Sequence, residues 1–337
     1  MSASPETPSP LPPAIAVFEA ARRLRGVVDP TPLRRSEVLS ARAGVDVWLK
    51  CEHEQRTGSF KARGAYNALA SLPPNLRERG VVASSAGNHG LGIAFAARAL
   101  GVRATVFVPA TAPRVKKEGI ARLGAAVDDS RPDYDAAAQA AHELAAETGA
   151  TYVDPCAGEA VLAGQGTVAL EILAELPEVA AVVVPVGGGG LLGGIAALLR
   201  RVAPRVRIVG AQSVRTAAMA RSLRAGRVVD IPNEPTLADG LAGGIAPEAL
   251  AVGRVALDDI VTVEEDDIAR AIALLHRTDG VTAEGSGAAA AAAVLSGAAR
   301  LGAGPVVVVV SGGNIDRERL EEVLARFPPA DAAARAP

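Results

Sequence analysis

Four segments of this 337-residue chain carry residue types that can do chemistry. Gly58-Ser59-Phe60-Lys61-Ala62-Arg63-Gly64-Ala65 sets a lysine where a loop turns into a helix, beside an aromatic ring. An amine there can form a Schiff base with a carbonyl compound. On general grounds a lysine at a helix start is a solvated surface group, so the position carries weight only in company. Gly187-Gly188-Gly189-Gly190 stands between a β-branched run and a helical stretch. Its N–H groups have no Cβ in the way, and with the helix dipole they suit a phosphate. Leu191-Leu192 follows where a P-loop needs Gly-Lys-Ser/Thr. Gln212 and Ser213 close the next strand where a dinucleotide loop needs an acidic residue. A phosphate monoester is the better fit, with a tight packing turn as the plain alternative. Ser311-Gly312-Gly313-Asn314 puts a hydroxyl at the mouth of five valines, able to hydrogen-bond a neutral ring nitrogen. A simple turn explains the same residues. Ser84 to Gly90 offers hydroxyls, an amide and free N–H groups at a helix start, suited to a carboxylate or to ordinary N-capping.

The surrounding elements must position these segments. Short β-branched runs alternate with Ala/Leu-rich stretches almost throughout. Strands are predicted at 46–50, 80–83, 104–108, 125–127, 152–153, 181–186, 207–211, 259–263 and 306–310. Helices are predicted at 61–70, 90–100, 115–123, 133–147, 164–176, 191–202, 265–276 and 285–299. The alternation predicts doubly wound α/β units, parallel sheets covered by helices on both faces. Nine strands are many for one open sheet, and 80–153 forms a self-contained series, so two sheets are expected. Loops 84–90, 187–190 and 311–314 all follow strands, where open α/β sheets bind ligands, which points to one shared pocket.

Composition narrows the function classes. Basic and acidic residues number 35 and 37, interspersed, for a net charge of −2. That argues against nucleic acid or an anionic membrane as the main partner. The chain is 49% apolar but only 3% aromatic, so Ala, Val and Leu must build its core. Its lysines are Lys50, Lys61, Lys116 and Lys117; every other basic residue is Arg, which cannot replace lysine as a nucleophile. Lys116 and Lys117 read as a solvated helix face. Two cysteines, Cys51 and Cys156, and four scattered histidines make neither a disulfide framework nor a zinc site. A reduced, cytoplasmic setting and no metal are expected. The N-terminus lacks a secretory pattern and reads as a disordered Pro/Ser tail over 1–13. Gly285 to Ala299 is too weakly apolar to span a bilayer and reads as a buried helix.

A phosphate cradle, a Schiff-base amine, a ring-nitrogen hydroxyl and a carboxylate loop are the parts that hold pyridoxal phosphate and an amino acid. In order and residues these motifs resemble the fold-type II pyridoxal-phosphate enzymes, in the threonine/serine dehydratase and serine racemase branch. The resemblance runs from about Pro30 to Leu324. Lys50 to Ala65 is similar to the family's lysine motif almost residue for residue. Ser85-Ala86-Gly87-Asn88-His89 resembles its asparagine loop and Gly187–Gly190 its phosphate loop, while Ala238-Asp239-Gly240 and Ser311–Asn314 are similar to further segments. The resemblance implies a tryptophan synthase β-like architecture, with a small domain (55–157) inserted in a large one (14–54 and 158–337). It also implies that Lys61 holds the cofactor as a Schiff base and Phe60 packs on the ring. Asn88 would bond the phenolic oxygen, Ser311 the pyridine nitrogen, and Gly187, Gly188, Gly189 and Gly190 the phosphate, with Glu284 beside the ring. Ser85, Ala86, Gly87, Asn88 and His89 would line the substrate, with Ser85, Gly87 and His89 around its carboxylate.

The implied reaction removes water from threonine, serine or a related β-hydroxy amino acid and yields a 2-oxo acid and ammonia. Freed Lys61 would take the α-proton, and the cofactor phosphate would protonate the departing hydroxide. Racemase-like relatives place a second serine directly before Gly-Asn-His as a base on the opposite face; Ala86 stands here, which favours elimination over racemisation. Such relatives also carry carboxylates for a divalent cation where this chain has Gln212 and Ala218, so no metal dependence is expected there. Gly285 replaces a proline common in the family. The Gly-rich stretch 237–244 is expected to widen the pocket, and the short C-terminus to leave no room for a regulatory domain or isoleucine feedback. Ala62-Arg63 and Asn88-His89 differ from the Asp-Arg and Thr-rich loop of β-replacement synthases. A non-catalytic phosphate-binding α/β module is the alternative from another class. A homodimer or homotetramer is implied.

Overall fold

The computed structural model describes residues 9–112 and 114–328. Ten strands form in chain order: β1 (Leu33–Arg35), β2 (Val47–Lys50), β3 (Val81–Ser84), β4 (Ala104–Pro109), β5 (Ala126–Arg131), β6 (Thr151–Tyr152), β7 (Ala181–Pro185), β8 (Arg207–Ser213), β9 (Asp259–Val263) and β10 (Val306–Val309). They make two sheets. One has the order β5-β4-β3-β6 and is wholly parallel; the other runs β1-β2-β10-β7-β8-β9. The larger sheet therefore takes strands from both sides of the smaller one in sequence. It is parallel except that β1 pairs antiparallel with β2. β1 lies outside the strands expected from sequence: it is Leu-Arg-Arg, with a single apolar residue, and gains strand form from its neighbour. β7 and β10 are buried on both faces, as their Val runs require.

Helices cover both sheets: α1 (Ala14–Leu24), α2 (Glu37–Ala43), α3 (Lys61–Ser71), α4 (Pro74–Arg79), α5 (Asn88–Leu100), α6 (Arg114–Arg122), α7 (Tyr134–Thr148), α8 (Glu159–Glu175), α9 (Gly190–Val202), α10 (Ala218–Ala225), α11 (Pro247–Ala256), α12 (Glu265–Leu274), α13 (Gly285–Leu295) and α14 (Arg317–Arg326). Among these, α1, α2, α4, α10, α11 and α14 were not predicted. Side-chain caps mark some starts: Ser36 accepts from Leu39 N and Asp133 from Ala136 N. The Ala/Gly-rich α13 is buried from Gly285 to Val294, because small side chains let it lie close against the larger sheet.

One hydrophobic cluster runs from Val81 and Val106 through Ile93, Leu162 and Ile195 to Val182, so the two sheets share a core. Leu11, 6% exposed, joins it, and the disordered tail expected over 1–13 is corrected at that residue. Residues 1–8 of that tail lie outside the described residues. Among the described residues no helix is long and apolar enough to cross a membrane.

Candidate active site

Lys61 opens α3, and the preceding loop is held to the end of β10 by backbone bonds. Phe60 N donates to Ser311 O (3.1 Å), Gly313 N donates to Gly58 O (2.9 Å), and Ser59 bridges Gly312. The lysine and Ser311 motifs, some 250 residues apart, are thus laid side by side. Lys61 Nζ donates to Pro155 O (2.7 Å), lies 4.0 Å from Cys156 Sγ, and sits 5.0 Å from the Phe60 ring centre. It forms no salt bridge among the described residues.

The glycine run follows β7 and ends as the first turn of α9. None of the four amides donates to a backbone carbonyl among the described residues, so all four have bonds to give. Their lack of side chains is required by close approach. A Cβ on Gly188 would stand 2.7 Å from Cys156 Sγ, and one on Gly190 would stand 2.9 Å from Cys156 Cα. Gly189 has φ +88°, the left-handed region. Cys156 therefore touches both the lysine and the glycine cradle and brings them together. Sequence inspection did not mark it for this place.

The third loop enters through α5. Gly92 lies so close to Lys61 that a Cβ would meet its carbonyl at 3.1 Å. Asn88, at the start of α5, donates from Nδ2 to Glu284 Oε1 (2.7 Å). Burial, and then the Asp239 charge, raise the Glu284 carboxyl to about 7 against the opposing bond from Asn88. Ser85 Oγ accepts from Gly87 N (3.2 Å), and Ala86 is half-buried without a hydroxyl to offer. Ser311 is 4% exposed, and its hydroxyl makes no hydrogen bond among the described residues. A Cβ on Gly285 would run into the Leu237 carbonyl, which explains glycine in place of proline after Glu284.

The His89 ring meets a backbone carbonyl. Its ring is buried and lies 2.9 Å from Val153 O through Nε2, so the neutral ring must carry its proton on Nε2 and donate it. Burial, and then the Lys61 charge, lower its pKa to about 4. Nε2 is thus a structural tie, and the unprotonated Nδ1 can only accept, so the ring has no donor left for a carboxylate.

Several groups were not legible. Arg63, two residues after the lysine, is buried with Glu52, Lys50 and Glu171 in a closed ion network. Lys116 is no simple solvated face: its Nζ reaches Asp239 Oδ2 (3.5 Å) across from the smaller sheet's helices, while Lys117 pairs with Asp129 (2.8 Å). Gln212 spends its amide on Val186 O, Thr216 O and Ala220 N, filling its surroundings with neutral bonds. Cys51, His53 and Glu54 bring ligand atoms within 4.8 Å of one another, a grouping that spacing did not suggest. Burial pushes the Cys51 thiol up to about 12, which disfavours the thiolate a metal needs. In the Gly-rich stretch, Gly240 and Leu241 press on Ser286 and Gly187, whereas a Cβ at Gly243 or Gly244 would touch nothing within 4 Å.

A paired-sheet α/β chain with an amine beside an unpaired-amide cradle is built to hold a carbonyl compound bearing a phosphate. The family model described as "Pyridoxal-phosphate dependent enzyme" matches residues 24–312, and the chain belongs to this family. It is 43% identical to the L-threonine ammonia-lyase of Thermotoga maritima over 91% of this chain and 77% of that one. Its structure matches that of maize serine racemase with a TM-score of 0.89 at 31% identity, covering 94% and 98% of the two chains. It also matches the processed form of threonine deaminase isoform 2 from Solanum lycopersicum with a TM-score of 0.85 at 32% identity, covering 96% and 93%. The chain is thus a fold-type II pyridoxal-phosphate enzyme, and its cofactor is pyridoxal phosphate.

Proposed function

We propose that this protein is an ammonia-lyase that dehydrates a β-hydroxy amino acid, threonine, serine or a close relative, to a 2-oxo acid and ammonia. The residues fit the cofactor: four unpaired amides at Gly187–Gly190 suit a phosphate, and the unbonded Ser311 hydroxyl suits a neutral ring nitrogen. Bound pyridoxal phosphate supplies an aldehyde for the Lys61 amine and a ring that spreads charge away from the substrate's Cα. Asn88, beside Glu284, would hold the phenolic oxygen through Nδ2, and Phe60 would pack on the ring. Ser85 and the backbone amides of the 85–89 loop hold the substrate carboxylate at the start of α5, where the helix dipole favours an anion. Lys61 Nζ, once free, is the base that takes the Cα proton. The domain division at 55–157 follows from the same reading, since the smaller sheet carries the substrate loop and the larger the phosphate cradle.

Ala86 carries the choice of elimination over racemisation. With no hydroxyl beside Gly87-Asn88, the opposite face of the substrate lacks a donor to return a proton. The test is a screen of L-threonine, L-serine and related 3-hydroxy amino acids, reading 2-oxo acid and ammonia together. Equimolar release is expected. Interconversion of L- and D-serine as fast as pyruvate release would overturn the reading. Exposed Ile15 and Phe18 on α1 support self-association as a homodimer or homotetramer, which light scattering tests; a monomer would remove it. The unpaired Cys51 and Cys156 suit a reducing, cytoplasmic compartment, and localisation of a tagged chain outside it would remove that reading.

A further inference from the structure

We propose that Asn314 is a positioning residue that sets which end of the Asn88 amide faces the cofactor. This rests on the reading that Asn88 bonds the cofactor's phenolic oxygen. The polarity starts at a backbone carbonyl. Thr57 O can only accept, and Asn314 Nδ2 lies 2.9 Å from it, so that end of Asn314 is its NH2. The same NH2 lies 2.7 Å from the Asn88 side chain. Two donors do not face each other, so Asn88 must present Oδ1 there. Its Nδ2 is then turned the other way, 2.7 Å from Glu284 Oε1, with a second N–H left for the cofactor.

Glu284 cannot set this polarity alone. Its carboxyl titrates near neutrality, and a protonated acid donates to an amide oxygen as readily as a carboxylate accepts from an amide N–H. Asn314 has no such freedom, because Thr57 O does not change. Its seat is built for it. A Cβ on Gly58 (φ +72°) would run into the Asn314 amide, and the Gly313–Gly58 backbone bond holds the two segments together. Reversing Asn88 would set N–H against N–H at Asn314 and carbonyl oxygen against carboxylate at Glu284.

The experiment compares holoenzyme of Asn314→Asp, Asn314→Ala, Asn88→Ala and the double variant Asn88→Ala/Asn314→Asp. The readouts are the visible absorption band and the pyridoxal phosphate concentration needed to reload stripped protein. In Asn314→Asp the new carboxylate accepts only, so Asn88 turns its NH2 toward it and its oxygen toward the cofactor. The band shifts and reloading weakens tenfold or more, as in Asn88→Ala, while Asn314→Asp adds less than twofold once the Asn88 side chain is gone. Asn314→Ala, which introduces no repulsion at Thr57, gives a smaller shift in the same direction and guards against simple misfolding of the loop. The inference is overturned if Asn314→Asp and Asn314→Ala keep the wild-type band and reload within twofold. It is also overturned if Asn314→Asp costs the same with and without Asn88. A wild-type chain that takes up no pyridoxal phosphate overturns the reading of the site itself.

Discussion

Glu52 and Glu284 are both carboxylates sunk in the protein, and their surroundings could hardly differ more. Glu52 accepts two bonds from Arg63, from Nε and Nη2, each 2.8 Å. The same guanidinium bonds Glu171, which also takes a bond from Lys50 Nζ (2.7 Å). Burial pushes the Glu171 carboxyl up, yet Arg63 and Lys50 hold it below the ordinary carboxylate range. Glu284 has no cation in direct contact; it takes bonds from the Asn88 amide and the Asn314 backbone N–H, and burial lifts it to about 7. The lysines repeat the contrast: Lys50 is fully buried against Glu171, whereas Lys61 leans on a carbonyl with no carboxylate beside it. Charge that is matched on every side locks structure. Charge left unmatched in a cleft is available for chemistry.

The largest effect expected on this contrast comes from removing the unmatched amine. Lys61→Ala should cost on the order of 10²–10⁴-fold in turnover and leave the protein colourless after dialysis, with unfolding changed little, because one hydrogen bond is lost. A yellow, active Lys61→Ala would break the assignment. On the matched side, Arg63→Met strands Glu52 in the interior, leaves Glu171 to Lys50 alone, and should cost about 3–5 kcal/mol in denaturant unfolding. Adding Glu52→Gln should recover part of it; no recovery would mean that packing of Arg63, not its charge, matters.

The smallest effect concerns pH. Glu284 has a folded pKa raised above its reference of 4.5 to about 7, so the fold favours its protonated form. Its stability contribution is fully present below 4.5 and is lost as pH rises through 7. The cofactor-free chain should therefore lose on the order of 3 kcal/mol across that window relative to Glu284→Gln, and run level with it above. Parallel stability–pH curves for the two proteins would contradict this.

The order of strands and helices around the site was legible because β-branched and Ala/Leu runs are local signals. The lysine motif and the glycine run were legible for the same reason: a loop-to-helix lysine and four glycines stand out in a short window. β1 and Leu11 were not, since one is charged and the other sits among prolines, and each acquires its state from a partner strand or core. Where the His89 ring turns was not legible, because a carbonyl at Val153, 64 residues away, decides it.

Taken by itself, the sequence determined the α/β alternation, the scarcity of lysine, and the loops able to bind phosphate, ring and carboxylate. It could name Lys61 but not say what spares it from an ion pair. That was decided by contacts between distant segments: Arg63 with Glu171 across 108 residues, and Asn88 with Glu284 across 196. Pairing of charges and direction of amides depend on distances in space of a few ångströms, and no local pattern in a chain encodes them.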